Sequence, residues 1–366
     1  VSGGNNGIEV QNNGTGALSI YGTGNISGSN QGIIALNSFA GRDLTISAVN
    51  VSGGNHGIEA RNGGTGALAI TTTGDVSGSG YGIFALNNMN GYNLAISVDN
   101  VSGGSRSGVR AVNYGAGAVN ITATGSVSSA SADGIFARNY NNGSDFTVSV
   151  ADVTGGNTGI DVHQRGNGVL SVTSTGTISG NRFGITANSD SLTTDLNIAA
   201  VDVTGGEVGI RANHQGYGAL SVRSTGAVTG ALGHGIEVTN GGTGTNLTIS
   251  ANDVTGNYSG IFAENFGTGI LTVTTSGAIS GGIGAAIQTN SNAGSAVVIT
   301  LLSTSSVSST SGAAIVDGAG DAVVTINSGA VVNGSISLGD GNDMLTIMAG
   351  ASLDGLTSLD GGSGSF

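Results

Sequence analysis

The residues of this sequence that could carry chemistry are 22 carboxylates, nine arginines and four histidines, with no cysteine and no lysine. Nucleophilic hydrolysis would need a serine, a histidine and a carboxylate held together. His56 and His234 each stand just before a Gly-Ile pair, a position typical of a solvated turn, and no histidine is framed by a nucleophile-elbow motif. His163 and His214 project from the first strand or its exit, and with Asp161 nearby they form at most a weak pair. No catalytic residue is therefore assigned.

A short segment repeats along the chain, and its first copy is Gly-Ile-Glu-Val-Gln-Asn at residues 7–12. Successive copies are 25 or 26 residues apart, and a fixed period of this size is typical of repeat architectures. The branched apolar residue of the segment returns at Ile8, Ile33, Ile58, Ile83, Val109, Ile135, Ile160, Ile185, Ile210, Ile236, Ile261 and Ile287.

Within each copy, apolar and polar residues alternate, which predicts a strand with one buried face. Each copy is followed by a second pair of apolar residues and then by a single apolar residue, and both recur at nearly the same period. The pattern predicts an all-β fold, a single-stranded right-handed parallel β-helix (β-solenoid) with three short strands per coil of about 25 residues. The hand follows from the usual sense of parallel crossovers. We expect regular coils over residues 1–290 and less regular C-terminal coils over residues 291–366.

The composition is consistent with this fold and limits the function. The chain has 70 glycines and no proline; we expect glycine to supply positive φ at the corners, whereas proline would remove hydrogen-bond donors from paired strands. The period-two pattern argues against disorder. A formal charge of −13 argues against a nucleic-acid partner. The lack of cysteine fits an exported protein, and no stretch reaches the length of a transmembrane helix.

Cleavage of a polysaccharide needs paired carboxylates or a calcium–carboxylate cluster with an arginine base. In a β-helix, such a cluster would appear as acids on adjacent coils at the outward position that follows the branched residue. Matching side chains on successive coils should lie ~4.8 Å apart. That column reads Glu9, Ile34, Glu59, Phe84, Arg110, Phe136, Asp161, Thr186, Arg211, Glu237, Phe262 and Gln288. No two adjacent coils carry acids there, so we expect a protein that is not an enzyme. Arg211 and Glu237 are expected to form an ion pair between coils.

The same outward columns contain a possible contact strip. Its members are Ile34, Leu36, Phe84, Leu86, Arg110, Phe136 and Phe262. Arg110 falls between Phe84 and Phe136, where its guanidinium could stack on either ring. The strip is interpreted as a surface for a partner or for another copy of the chain. Alternatively, a loop covers this face, or the exposed apolar residues have no function.

An amide side chain follows the first strand of most copies. The predicted structural ladder comprises Asn12, Asn37, Asn62, Asn87, Asn113 and Asn139, and it continues through Gln164, Asn188, Asn213, Asn240, Asn265 and Asn290. Asparagine tolerates the left-handed turn conformation, and stacked amides can hydrogen-bond along the axis. A polar ladder that contacts a partner is the alternative.

No cofactor is predicted, with one alternative near the C-terminus. The segment Gly-Asp-Gly-Asn-Asp at residues 339–343 partly matches the calcium-binding nonapeptide of RTX β-rolls. That motif binds calcium between tandem copies, and this chain has one copy. An ordinary turn-rich coil is therefore favoured over a calcium site near Asp340 and Asp343.

In this Gly/Asn/Ser/Thr-rich, cysteine-free β-solenoid, residues 327–343 include Asn-Ser-Gly-Ala, Asn-Gly and Leu-Gly-Asp-Gly-Asn-Asp, and the chain resembles the passenger domains of autotransporters. These proteins use type V secretion in Gram-negative bacteria. The resemblance implies an autochaperone segment and a C-terminal membrane barrel of the same polypeptide, both beyond residue 366. It also implies a virulence-associated protein at the cell surface or released, anchored to the outer membrane while attached. Family members include adhesins, aggregation factors, proteases and esterases.

The residues and the resemblance together predict a non-enzymatic, surface-displayed passenger. We expect it to act as an adhesin or as a self-association module in aggregation and biofilm formation, through the side wall of the coil. The partner would be a host or sister-cell surface component. The alternatives are a polysaccharide-cleaving lyase or hydrolase on the same scaffold, and a passive stalk for a further N-terminal domain.

Overall fold

The computed structural model describes residues 1–140 and 143–363. These residues form 39 β-strands and no helix, and every strand pair in register is parallel. The strands wind into a β-solenoid of about 14 turns with about 25 residues per coil. The predicted parallel β-helix is confirmed.

The strands fall into three positions of each coil. In chain order they are β1 (Ser2–Gly3), β2 (Asn6–Asn12), β3 (Leu18–Tyr21), β4 (Ile26–Gly28), β5 (Gln31–Asn37), β6 (Leu44–Ala48), β7 (Val51–Gly53), β8 (His56–Asn62), β9 (Leu68–Thr72), β10 (Val76–Gly78), β11 (Ile83–Asn87), β12 (Leu94–Val98), β13 (Val101–Gly103), β14 (Val109–Asn113), β15 (Val119–Ser129), β16 (Ile135–Asn139), β17 (Phe146–Gly155), β18 (Thr158–Gln164), β19 (Gly168–Ser174) and β20 (Thr177–Gly180). They continue as β21 (Phe183–Ser189), β22 (Thr193–Ala200), β23 (Asp202–Gly205), β24 (Val208–His214), β25 (Leu220–Ser224), β26 (Ala227–Gly230), β27 (Ile236–Asn240), β28 (Leu247–Ala251), β29 (Asp253–Gly256), β30 (Ile261–Asn265), β31 (Leu271–Thr275), β32 (Ala278–Gly281), β33 (Ile287–Ser291), β34 (Ala296–Leu301), β35 (Ser306–Val316), β36 (Asp321–Ile326), β37 (Val331–Ser337), β38 (Met344–Ile347) and β39 (Ser352–Asp360).

The core consists of the inward positions of all three strands. In β5, Ile33 and Ala35 are fully buried while the residues between and after them are partly exposed. Ile33 lies in register with Ile58 one coil later, and Ile58 with Ile83. Because branched residues stack directly over their counterparts, each coil buries apolar surface that it could not bury alone.

Glycine has the predicted role at some positions and a second role that was not predicted. Among the described residues, positive φ occurs at nine glycines, at residues 168, 294, 312, 329, 334, 339, 341, 350 and 362, and at no other residue type. In most coils, the glycine before the inward branched residue has a second role, which is to allow a close approach. A Cβ on Gly57 would lie 2.5 Å from the Gly82 carbonyl oxygen and 2.7 Å from Val76 Cγ1. Around Gly57, the first strand therefore packs against the next coil and against a third strand so closely that a side chain would have to displace backbone atoms.

The chain divides into two compact units. One comprises residues 1–181 and 187–193, and in it β15 and β17 each span the second and third strand positions of a coil. The other comprises residues 182–186 and 194–366. In its C-terminal part, the pairings of β35 with β37 and of β37 with β39 contain register shifts.

Candidate binding face

The predicted strip residues of the first unit lie on the outer side of the first strands. Phe84 is in register with Glu59 on one side and Arg110 on the other, and Arg110 is in register with Phe136. Ile34 and the two leucines, at positions 36 and 86, lie in the same sheet, and all these side chains are partly exposed. We call this outer side of β5, β8, β11, β14, β16 and β18 the first-strand face.

Arginines stack on the aromatic rings of this face. The Arg110 guanidinium carbon lies 4.5 Å from the Phe136 ring centroid, and that of Arg138 lies 3.9 Å from the same centroid. Arg61 lies 4.7 Å from the centroid of Phe84. Of the two rings predicted for Arg110, the guanidinium therefore stacks on Phe136. Stacking of this kind holds both the ring and the guanidinium in place.

A second aromatic group at the start of the first strands was missed by sequence reasoning. The Tyr81 ring lies 5.4 Å from that of Phe84 and 5.1 Å from that of His56, measured between centroids. Arg106 covers Tyr81 at 5.1 Å, and its Nη1 donates to the tyrosine hydroxyl at 3.2 Å. The sequence feature that could have predicted this cluster is the position just before each repeated glycine, which holds His56 in one coil and Tyr81 in the next. Burial lowers the pKa of His56.

Ion pairs connect the same face. Arg61 Nε contacts Glu59 Oε1 at 2.7 Å, and Glu59 Oε2 also accepts from the amide of Gln31 at 2.7 Å. Arg138 Nη2 contacts Asp161 Oδ2 at 2.6 Å, with both side chains mostly buried. These two arginines are therefore compensated by carboxylates in addition to the rings they cover.

His163 and Asp161, expected to form at most a weak pair, do not pair with each other. His163 Nε2 lies 2.7 Å from Asp190 Oδ1, whereas Asp161 is held by Arg138. Arg165 Nε lies 3.9 Å from the other oxygen of Asp190. The sequence separation of two residues placed His163 and Asp161 on the same side of one strand, but each found its partner on a neighbouring coil.

At the corner beside this face, two tyrosines stack. The rings of Tyr114 and Tyr140 are 4.3 Å apart between centroids, with planes inclined by 22°. Arg165 lies 5.0 Å from the Tyr140 centroid. Burial and the neighbouring tyrosine raise the pKa of Tyr114. The aromatic–arginine pattern thus extends from the sheet onto its edge.

Phe262, the last predicted strip residue, belongs to the second unit. Its ring stacks on His234 at 5.0 Å, and Tyr258 packs on the same histidine at 5.4 Å. The expected contact between Arg211 and Glu237 is present, with 3.2 Å between Nη2 and Oε1. Burial lowers the pKa of His234.

The amide ladder is a continuous chain of hydrogen bonds in the first unit. Each Nδ2 donates to the Oδ1 of the next coil at 2.8–2.9 Å, from Asn12 through Asn37, Asn62, Asn87 and Asn113 to Asn139. From Asn62 onward these side chains are fully buried. Each amide also donates to a carbonyl of its own corner, as Asn113 does to Gly117. Since no described asparagine has positive φ, the ladder's role here is hydrogen bonding inside the coil.

The continuation of the ladder was predicted one residue out of register at three places. The buried positions are Ser189, His214 and Ser291, whereas Asn188, Asn213 and Asn290 are partly or fully exposed. His214 is in register with Asn240, and Ser291 with Asn265. Burial lowers the pKa of His214. The error arose because an asparagine happened to precede each true ladder residue.

Asp340 and Asp343, the predicted alternative for calcium, have separate partners. Asp343 is buried, and its Oδ1 accepts from the backbone amide of Ala322 at 2.9 Å. Asp340 is exposed, and its Oδ1 accepts from the hydroxyl of Ser363. Within residues 1–140 and 143–363, no group of three or more histidine or acidic side chains is placed to hold a metal ion.

Comparisons with known proteins return no match: no family model, no curated protein and no solved structure resembles this chain significantly. Among the described residues, no helix is long and apolar enough to cross a membrane. Function must therefore be argued from the geometry of the face itself.

Proposed function

We propose that this chain is a non-enzymatic adhesive module of a cell-surface protein, an autotransporter passenger that binds a surface component of a host or sister cell through the first-strand face. The observation that supports it is the layer of half-exposed rings and arginines on this face, from Tyr81 to Phe136. Such side chains dominate the energetics of protein recognition because they offer large, rigid surfaces with polar rims.

The composition of the face favours binding over a purely structural role. The core beneath is already filled by fully buried residues such as Ile83 and Ala85, so the outer rings are not needed to close it. The other outward positions on second and third strands carry mostly small hydroxyl residues, as in β9 and β10. A stalk needs only such small polar residues on its outer side.

The test replaces the two central rings. A chain with both Phe84→Ser and Phe136→Ser, coupled to fluorescent beads, should lose most of its attachment to cells and most of its bead-to-bead aggregation. The control is Phe39→Ser, since Phe39 is exposed at a corner outside the face. Circular dichroism should show unchanged strand content in all three proteins.

Unchanged attachment by the double variant would show that the first-strand face is not the binding surface. A separate assay incubates the unmodified chain with polysaccharides and measures reducing ends and unsaturated products. Release of either product would contradict the non-enzymatic proposal and indicate a polysaccharide-cleaving enzyme.

A further inference from the structure

Tyr114 and Tyr140 occupy equivalent positions on successive coils of the first unit. Each directly follows an asparagine of the amide ladder, and the side chains of these two asparagines, Asn113 and Asn139, are hydrogen-bonded to each other at 2.8 Å. The backbone amide of Tyr140 also donates to the carbonyl oxygen of Asn113 at 2.9 Å. The ladder therefore fixes the backbone from which both tyrosine side chains start.

The two phenol rings stack face to face at the surface. Their centroids are 4.3 Å apart and their planes are inclined by 22°. Tyr114 is 39% exposed and Tyr140 is partly exposed, so a reagent in solution can reach both rings. The chain has seven tyrosines, and within residues 1–140 and 143–363 no other two tyrosine rings are in contact.

An arginine covers the other face of Tyr140. Because Asn113, Asn139 and Gln164 are in register on three successive coils, the residues that follow them are Tyr114, Tyr140 and Arg165. The Arg165 guanidinium carbon lies 5.0 Å from the Tyr140 centroid. Tyr140 is therefore enclosed between Tyr114 and Arg165, and the ring with the best access to it is that of Tyr114 rather than a tyrosine of a second molecule.

This geometry suits the oxidative coupling of two phenols. A phenol that loses one electron and one proton becomes a phenoxyl radical, with unpaired electron density on the ring carbons next to the one that bears oxygen. Two such radicals join through p orbitals perpendicular to their ring planes, so the rings must first lie face to face. A pair that is already held in this arrangement avoids the entropic cost of bringing the reactants together.

We propose that Tyr114 and Tyr140 form a site of oxidative modification, at which a one-electron oxidant such as a haem peroxidase joins the two rings as dityrosine. Each phenol gives up one electron and one proton, and a bond forms between one Cε carbon of each ring. The hydrogen on each of these carbons then moves to the phenol oxygen of the same ring, which restores aromaticity. The electrons and protons released by the two phenols reduce one hydrogen peroxide to two water molecules.

The product links neighbouring coils covalently, from the corner after β14 to the corner after β16. The chain has no cysteine and therefore no disulfide, and the tyrosine pair supplies a cross-link of comparable effect at a surface corner. The inference is independent of the proposed adhesive function, because the coupling needs only the two tyrosines and an oxidant.

The test treats the full chain, at micromolar concentration, with hydrogen peroxide and a haem peroxidase. The unmodified chain should gain dityrosine fluorescence and remain a monomer in denaturing electrophoresis. Mass spectrometry should find residues 114 and 140 joined with the loss of two hydrogen atoms. Tyr140→Phe keeps the ring of the stack but has no phenol to oxidise, so the fluorescence should fall about tenfold. Tyr114→Phe should give the same loss.

The matched control is Tyr92→Phe, which removes a more exposed tyrosine at a corner, 57% exposed, and should leave the fluorescence unchanged. Circular dichroism should show the same strand content in all variants. The assignment is wrong if the unmodified chain forms no dityrosine, if its product consists of covalent dimers, or if Tyr140→Phe and Tyr114→Phe retain the fluorescence of the control.

Discussion

At the scale of single residues, the buried amides show how this coil satisfies polar groups in its interior. Asn113 accepts from Asn87, donates to Asn139 and donates to the carbonyl of Gly117. Its Oδ1 also accepts from the backbone amide of Gly115. A corner that turns inside the solenoid leaves backbone carbonyls away from water, and the amide column pairs them.

We expect Asn113→Ala to lower the free energy of unfolding by about 2–3 kcal/mol, because it removes one hydrogen bond each from the buried amides of Asn87 and Asn139 and from the backbone groups of Gly115 and Gly117. The measurement is urea unfolding followed by far-ultraviolet circular dichroism. Asn88→Ala is the matched control, since Asn88 is an exposed corner asparagine, and its effect should be within about 0.5 kcal/mol. Equal effects of the two substitutions would contradict a stabilising role for the ladder.

At the scale of the strands, one glycine in most coils determines how closely the first strand approaches its neighbours. A Cβ at Gly57 would also lie 2.9 Å from the carbonyl oxygen of Ser77, so backbone atoms and a buried valine crowd it together. The equivalent glycines at residues 32, 82, 184 and 235 have the same surroundings. The repeated Gly-Ile pair is therefore a packing requirement as well as a marker of the period.

Gly57→Ala should destabilise the chain by about 1–3 kcal/mol, since the backbone on either side must move to admit a methyl group. Gly16→Ala is the control because nothing lies within 4 Å of a Cβ built there, and its φ is not positive. The measurement is the thermal unfolding of both variants and of the unmodified chain. A Gly57→Ala protein as stable as Gly16→Ala would show that the close approach has no energetic importance.

At the scale of the whole molecule, most carboxylates are on the surface, but Asp317 lies inside the second unit. Its side chain is 3% exposed and follows β35 at the buried position in line with Thr289, whose hydroxyl donates to Asp317 Oδ1 at 2.6 Å. Burial raises the pKa of Asp317 to about 6, and the nearby charge of Asp343 adds to this. The folded chain therefore binds a proton on Asp317 more tightly than the unfolded chain does.

The unmodified protein should lose stability as the pH rises from about 4 to above 6, because the folded state then gives up a proton that the unfolded state has already lost. The loss should be on the order of 2–3 kcal/mol. Asp317→Asn should remove this dependence and raise stability at pH 7, as measured by urea unfolding at pH 5 and 7.

The control for that experiment is Asp354→Asn, which makes the same change in net charge at an exposed position. It should keep the pH dependence of the unmodified chain. An Asp317→Asn protein that is less stable than the unmodified chain at pH 7 would show that the ionised carboxylate is stabilising, contrary to the expectation from its burial.

The fold was predictable from the sequence because it depends on a local, repeated pattern. Period-two alternation assigns the inward residues of each strand, and the 25- or 26-residue period assigns the partner of each strand. Both are one-dimensional quantities, so the register of Ile33 on Ile58 and the chain of amides from Asn12 to Asn139 follow from counting residues. Where an asparagine stood beside the true ladder residue, as at Asn213 before His214, counting by residue type chose the wrong one.

The contacts of the binding face needed the tertiary structure. These contacts depend on side-chain torsions and on neighbouring coils. They are the ion pair of Arg138 with Asp161, the stacking of Arg110 on Phe136, and the contact between Tyr81 and Arg106. The sequence period by itself determined which residues share a column of the β-helix. Which of them touch was decided by three-dimensional packing, because long side chains on coils ~4.8 Å apart can reach several neighbours and adopt the arrangement that pairs the most charge and covers the most ring surface.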